Sequence, residues 1–162
     1  MPDVSTDRLI TIVTGIQLRA ELGDRPLAYH VEREVRAFLD AHLPERQPGE
    51  LPLLAPVVVS DVYYLNNDEL QTRPTIAIGG PGMNALTATL VEELPTALAI
   101  DETLVIQMSL DAGAEADDAH RCAVWGMNHL DTVRAVETFI AKGYLAAFLN
   151  GVMAREQGET PL

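Results

Sequence analysis

The sequence predicts a three-layer α/β domain, flavodoxin-like or Rossmann-like, with a mostly parallel sheet. Short β-branched runs that end in glycine or in a turn alternate with stretches in which apolar residues recur at helical spacing. Strands and helices in alternation form parallel sheets through right-handed crossovers, with helices on both faces. A chain of 162 residues, 48% of them hydrophobic, has the size of one domain with a sizeable core. We therefore expect a single domain over residues 1–162.

The first half of the chain supplies two strands and one long helix. "RLITIVT" (8–14) is a β-branched run that stops at Gly15 and predicts the first strand. "GDRPLAYHVEREVRAFLDAHLP" (23–44) has one apolar face at helical spacing and predicts an amphipathic helix. Several prolines make residues 44–56 an irregular connection. "PVVVSDVYYLNN" (56–67), rich in β-branched and aromatic residues, predicts the second strand.

The middle of the chain alternates in the same way. "PTIAIGG" (74–80) predicts a third strand, and the stretch 84–94 has a helical apolar face. "TALAI" (96–100) and "TLVIQMSL" (103–110) predict two further strands, one central and one nearer an edge. The small acidic segment at 111–120 is typical of a surface loop.

The last part predicts one strand and one helix. "RCAVWGMN" (121–128) is the strand candidate, and the helix covers 130–151. We expect Gly143 to weaken the middle of this helix and Gly151 to end it. Apolar or small residues beside its core face, Tyr144, Ala146 and Ala147, suggest a homo-oligomer.

Charge and cysteine content exclude several classes of protein. The 24 acidic and 11 basic residues give a net charge of -13, which repels nucleic acid and anionic membrane surfaces. The single cysteine cannot form an internal disulfide, and with four dispersed histidines it does not resemble a zinc site. The acidic N-terminus does not resemble an export signal. We expect a cytoplasmic protein without a bound metal.

A ligand site in such a fold lies beyond the carboxyl ends of the strands, where the strand order reverses. The sequence places the ends of several predicted strands, with their following loops, at this edge. The ligand-binding candidates are Gly15, Ser60, Asp61, Gly79, Gly80, Gly82, Asn84, Asp101, Gly126, Asn128, His129 and Asp131.

The stretch "GGPGMN" (79–84) permits two interpretations. It fits the G-x-G-x-x-A pattern of a dinucleotide site, with Asp101 about 20 residues later as a ribose-binding acid. However, no lysine or arginine is near, and the following helix is short. The favoured interpretation is a tight turn in which Asn84 caps the helix through its side-chain oxygen, a role that aspartate could also fill.

The stretch "WGMNHLDT" (125–132) also has a structural and a catalytic interpretation. Asp131 is a good helix N-cap, whereas His129 could act as an acid or base beside Asn128. Among other candidates, His120 and Cys122 would share one face of a strand and form a nucleophile pair. The favoured interpretation of Cys122 is a small buried hydrophobe.

A resemblance to known proteins spans residues 75–145. "IAIGGPGMNALTATLVEEL" and "AVWGMNHLDTVRAVETFIAKG" resemble the Rossmann-like domains of archaeal S-layer proteins and, more distantly, clostridial-type cell-wall-binding repeats. The first element matches at Gly79, Gly80 and Asn84. The second matches at Gly126, Asp131, Thr132 and Ala135. The resemblance implies a non-catalytic module used in assembly or polymer binding.

The functional expectation is therefore a non-catalytic binding or assembly module. It would act through a partner protein or a small ligand at the carboxyl-edge loops. The alternative is a small enzyme that binds a nucleotide or a phosphorylated metabolite at the "GGPGMN" and "WGMNHLDT" loops. No residue is assigned a catalytic role, and the cofactor, if any, stays unknown.

Overall fold

The structure, a computed structural model, describes residues 5–43, 48–49, 53–109 and 120–156. Its strands are β1 (Leu9–Thr14), β2 (Ala55–Ser60), β3 (Thr75–Ile78), β4 (Thr96–Ile100), β5 (Leu104–Met108) and β6 (Arg121–Gly126). Its α-helices are α1 (Arg25–His42), α2 (Asp61–Leu65), α3 (Asp68–Gln71), α4 (Ala85–Glu93), α5 (His129–Ala141) and α6 (Tyr144–Glu156). A 3-10 turn at Thr6–Arg8 precedes β1, and a π-helical turn at Ala20–Asp24 leads into α1.

The strands form one sheet in the order β2-β1-β3-β6-β5-β4. The pairs from β2 to β6 are parallel, whereas β5 is antiparallel to both of its neighbours. Only β5 therefore runs against the other strands, and the prediction of a mostly parallel α/β sheet is confirmed. The chain moves from β1 to β2 on one side and then crosses to β3 on the other, so the strand order reverses between β1 and β3.

Helices cover both faces of the sheet and give three layers. Alternate residues of β1 point to opposite faces. Ile10 and Ile12 belong to a core with α1, α5 and α6. Val13 belongs to a second core with residues of α2, α3 and α4. The three-layer α/β architecture predicted from the sequence is thus the one observed.

The predicted second strand, 56–67, is too long. The observed strand β2 ends at Ser60, and the apolar residues that follow it belong to α2. The Ser60 hydroxyl accepts a hydrogen bond from the Tyr63 amide at 3.2 Å, and Asp61 accepts one from the Val62 amide at 2.7 Å. These two polar side chains begin a helix because they satisfy its first amides, which outweighs the strand preference of Val62 and Tyr63.

The predicted last helix is two helices. It breaks at Gly143, whose φ of 84° is in the left-handed region that favours glycine. The expectation that Gly151 ends the helix is wrong, because Gly151 lies within α6. A Cβ atom at Gly151 would lie 3.3 Å from the ring of His120, so packing requires a small residue there. Of the residues suggested for self-association, Tyr144 packs against the core, and Ala147 is exposed.

The hairpin of β4 and β5 agrees with the prediction of one edge strand and one central strand. β4 is at the sheet edge, and β5 lies between β4 and β6. Its turn places Asp101 and Glu102 at φ values of 50° and 60°.

Two predicted loops lie largely outside the residues that the structure describes. The irregular connection at 44–56 falls mostly on residues 44–47 and 50–52, and the acidic segment at 111–120 falls on 111–119 except for its last residue. These residues lie outside the described part of the chain. Within the described part of the chain, none of the helices combines the length and apolar composition needed to cross a membrane.

Candidate functional site

The carboxyl ends of β1, β2, β3 and β6 meet at one edge of the sheet because these strands are parallel. This carboxyl edge gathers Gly15, Ser60–Asp61, the loop 79–84 and the loop 126–131, as predicted. The last two loops are neighbours: the Gly79 amide donates to the Val124 carbonyl at 3.1 Å, and a Cβ atom on Gly80 would lie 3.4 Å from the Gly126 carbonyl oxygen.

The loop 79–84 lies directly over the end of β1. A Cβ atom on Gly15 would overlap the carbonyl oxygen of Met83. The two backbones therefore meet at the reversal of strand order, where a doubly wound fold usually holds its ligand. By contrast, Gly82 is exposed, and a Cβ atom there would contact nothing within 4 Å.

Side chains of this protein already occupy the first amides of α4. The Ala85 amide donates to Oδ2 of Asp61 at 2.9 Å. The amides of Leu86 and Thr87 donate to Oδ1 of Asn84 at 3.0 and 3.4 Å. The predicted Asn84 cap is confirmed. A phosphate would have to displace Asp61 and Asn84, since helix-terminal amides are what binds phosphate in glycine-rich loops.

Asn84 does more than cap the helix. Its Nδ2 donates to the carbonyls of Val13 and Ile78 at 2.9 and 3.0 Å. The side chain is buried and joins the ends of β1 and β3 to the start of α4. The motif that suggested a phosphate site therefore holds the loop 79–84 against the end of β1.

The β6–α5 loop is held by Asn128 and Thr132. The helix N-cap is Asn128, whose Oδ1 accepts from the Asp131 amide at 2.9 Å, so the prediction of Asp131 as the cap is wrong. Asn128 is preferred because its extended backbone precedes the helix, whereas Asp131 is already in its first turn. The Gly126 amide donates to Oγ1 of Thr132 at 3.1 Å, and a Cβ atom on Gly126 would overlap the Asp131 backbone.

Asp101 lies at the same edge but away from the "GGPGMN" loop. It is at the tip of the β4–β5 hairpin, which a hydrogen bond from the Met127 amide to the Thr103 carbonyl at 2.9 Å ties to the β6–α5 loop. Strand β6 lies between this hairpin and β3. Asp101 is thus not beside the loop that it would serve in a dinucleotide site.

The sequence interpretation missed Asp24, a carboxylate at this edge. Asp24 is only 6% exposed, and it forms no hydrogen bond or ion pair within the described part of the chain. A Cβ atom on Gly79 would lie 2.6 Å from its Oδ2. Burial raises the pKa of Asp24 to about 6, and the nearby His129 acts in the opposite direction. A sequence signal existed: Asp24 is four residues before Ala28, on the buried face of α1.

A second buried polar group faces the same layer. Thr14 continues the alternation of Ile10 and Ile12 on the α1 side of β1, and its hydroxyl is buried without a hydrogen-bond partner in the described part of the chain. Buried polar atoms are usually hydrogen-bonded. Thr14 ends β1, and Oδ2 of Asp24 lies against Gly79 just after β3. Both groups are buried and have no hydrogen-bond partner among the described residues.

Exposed apolar side chains lie close in sequence to Thr14 and Asp24, and others lie around the start of α5. We call this set the apolar rim. It comprises Ile16, Leu18 and Leu22 before α1, and Met127 and Leu130 around the start of α5, each 56–73% exposed. The two halves meet where Gly23 lies against His129, since a Cβ atom on Gly23 would be 2.8 Å from Nδ1 of the imidazole. A cluster of exposed large apolar residues is typical of an interaction site, whereas single exposed apolar residues are common on any protein surface.

The proposed pair of Cys122 and His120 is not on one strand face. His120 has a φ of 80° and lies in the turn before β6, so strand alternation does not apply to it. Complete burial raises the pKa of Cys122 far above its ordinary value, and burial and Arg155 lower that of His120 to about 4. A thiol in this state is not a nucleophile. The described residues also contain no cluster of three metal-binding side chains.

Because Asp24 is buried, its replacement should change the stability of the protein by an amount that depends on pH. The unfolded carboxyl loses its proton near pH 3.8, but the folded one keeps it until about pH 6. Between these values the native state binds more protons, so the contribution of Asp24 to stability falls as pH rises. We expect Asp24→Asn to be more stable than the parent protein by about 1–2 kcal/mol at pH 7.5 and equal to it at pH 3.5.

Urea denaturation of both proteins at the two pH values measures this difference. The two proteins must be compared with each other at each pH, because His120, with its lowered pKa, contributes the opposite pH dependence to the stability of both. An Asp24→Asn variant that is less stable than the parent at pH 7.5 would contradict an unpaired buried carboxylate.

Comparisons with known proteins do not assign the chain to a family. No protein-family model matches it, and no curated protein matches it.

Proposed function

We propose that this protein is a non-catalytic binding module that holds an apolar segment of a partner protein at its carboxyl edge. The observation that supports the proposal best is the apolar rim, which two loops from different parts of the chain present together. Leu18 and Leu22 are each 73% exposed, and each exposed leucine costs free energy in water that burial against a partner would recover. The resemblance to S-layer and cell-wall-binding modules also implies binding.

The alternative, an enzyme for a nucleotide or phosphorylated metabolite, has less support. Asp61 and Asn84 occupy the amides that would hold a phosphate. The Asp61 carboxylate at the start of α4 would also repel a second anion. His129, the acid–base candidate, is exposed, and none of the described residues forms a hydrogen bond with its ring that would orient it for catalysis.

Selection from a displayed library of random peptides tests the proposal. The parent protein serves as bait, and enriched peptides are synthesised and titrated by fluorescence anisotropy. We expect apolar sequences that bind the parent protein and lose at least about tenfold in affinity for the Leu18→Ser/Leu22→Ser variant. The variant should fold normally because both side chains are mostly exposed.

Leu53→Ser is the matched control. Leu53 is 52% exposed but precedes β2, so it lies toward the opposite edge of the sheet. Its replacement should leave peptide affinity unchanged. Peptides that bind the Leu18→Ser/Leu22→Ser variant as well as the parent protein, or a selection without enrichment, would reject the carboxyl edge as the binding surface.

A further inference from the structure

We propose that Asp24 anchors the bound segment by receiving a cationic group, the ammonium of a lysine or the guanidinium of an arginine, while apolar side chains of the same segment rest on the apolar rim. This inference rests on the proposed binding function and names the chemistry of the partner.

The first argument is that the acceptor capacity of Asp24 is unused. An ionised carboxylate can accept about four hydrogen bonds, yet Asp24 accepts none from the described residues and is 94% buried, the complement of its 6% exposure. A buried charge of this kind destabilises a protein unless a partner compensates it. The hydroxyl of Thr14 is likewise buried without a hydrogen-bond partner among the described residues.

The second argument is that the arginine adjacent in sequence is engaged elsewhere. Arg25, next to Asp24 in the chain, pairs with Glu21 at 3.4 Å and donates to the hydroxyl of Tyr29 at 3.2 Å. Its guanidinium also lies over the Tyr29 ring, 5.7 Å from the centroid. The guanidinium of Arg25 is therefore engaged with Glu21 and Tyr29 and forms no ion pair with Asp24, whose carboxylate stays able to bind an external cation.

The third argument is the position of Asp24 relative to the apolar rim and to the reversal of strand order. Asp24 follows Gly23 and Leu22, the latter a member of the apolar rim, and its Oδ2 lies against Gly79 at the reversal of strand order. The imidazole of His129 lies against Gly23, so Asp24 directly follows the residue at which the two halves of the apolar rim meet. The net charge of -13 attracts cations to the molecule as a whole.

A cation on an alkyl chain fits better than a metal ion or an anion. Metal sites need several ligands, and the described residues offer no cluster of three. A carboxylate repels an anion. A lysine or arginine side chain combines an apolar stem, which suits the rim, with a charged head that forms charge-assisted hydrogen bonds to the carboxylate.

Titration with small probes tests the inference without knowledge of the partner. The probes are n-hexylammonium, n-hexanol and n-hexanoate, which share one apolar chain and differ in the head group. Binding to the ¹⁵N-labelled protein is followed by NMR at pH 7.5. We expect n-hexylammonium to shift the amides of Gly23, Asp24 and Gly79 and to bind about tenfold or more tightly than n-hexanol. We expect n-hexanoate to bind most weakly.

Two variants distinguish the contribution of the probe's head group to binding from that of its alkyl chain. Asp24→Asn keeps the shape of the side chain and should make n-hexylammonium and n-hexanol bind equally. Leu22→Ser should weaken both probes by a similar factor. Equal binding of the two probes to the parent protein, with sensitivity to Leu22→Ser, would overturn the role of Asp24 and leave the proposed binding surface intact. Amide shifts confined to other regions would overturn both.

Discussion

Gly15→Ala should lower the free energy of unfolding by about 3 kcal/mol or more, the largest loss that we expect from one added methyl group. The new Cβ atom would overlap the backbone carbonyl of Met83. A backbone atom cannot rotate away as a side chain can, so the β1 loop and the loop 79–84 would have to separate. The hydrogen bond from Asn84 to the Val13 carbonyl joins the same two segments and would lengthen. Urea denaturation measures the loss.

Gly82→Ala is the matched control for this prediction. Gly82 belongs to the loop that Gly15 contacts, but a Cβ atom there would meet nothing within 4 Å. Its free energy of unfolding should change by no more than about 0.5 kcal/mol. If Gly15→Ala were as stable as Gly82→Ala, the two loops would not pack backbone against backbone.

Asn84→Asp should destabilise the protein by about 3 kcal/mol at pH 7.5. As a helix cap alone, Asn84 could be replaced by aspartate at little cost, as expected from the sequence. In the structure, however, Nδ2 donates to two buried carbonyls. An aspartate would keep the cap but place an ionised oxygen against the carbonyl oxygens of Val13 and Ile78, and it would lie near Asp61, which shares the start of α4.

Comparison with Asn128→Asp tests this explanation. Asn128 also caps a helix, through the Asp131 amide, but it is exposed. Its replacement by aspartate should cost less than about 0.5 kcal/mol. Asn84→Asp should also recover much of its loss as pH falls, because a protonated carboxyl can donate one hydrogen bond. Equal stability of the two variants would show that Asn84 is only a cap.

Local patterns were enough to predict most elements but not their ends. The β-branched runs at β1 and β3 and the apolar face of α1 appear where their periodicity placed them. Two of the errors occurred where a single polar side chain decides between structures. Ser60 begins a helix inside an apolar run, and Asn128 takes the cap position expected of Asp131. A capping bond depends on one side-chain torsion, which hydrophobic periodicity does not encode.

The candidate site was predicted less completely than the fold. The carboxyl edge and its two glycine loops follow from the topology of parallel strands, and the sequence identified them. Asp24 was missed because an acid near a helix start is ordinarily a solvated residue. Its burial depends on Gly79 and on the Gly23–His129 contact, neither of which a local pattern can show.

The α/β class, the mostly parallel sheet and the edge at which the loops gather could all be predicted from the chain's own pattern, because hydrophobic periodicity and the order of elements are local properties. What that edge offers to a ligand depends on the folded arrangement. That arrangement filled the amides of α4 with Asp61 and Asn84, and it left the carboxyl of Asp24 without a partner among the described residues. Both outcomes depend on contacts between residues far apart in the chain, where burial determines whether a polar group is solvated, paired or left open.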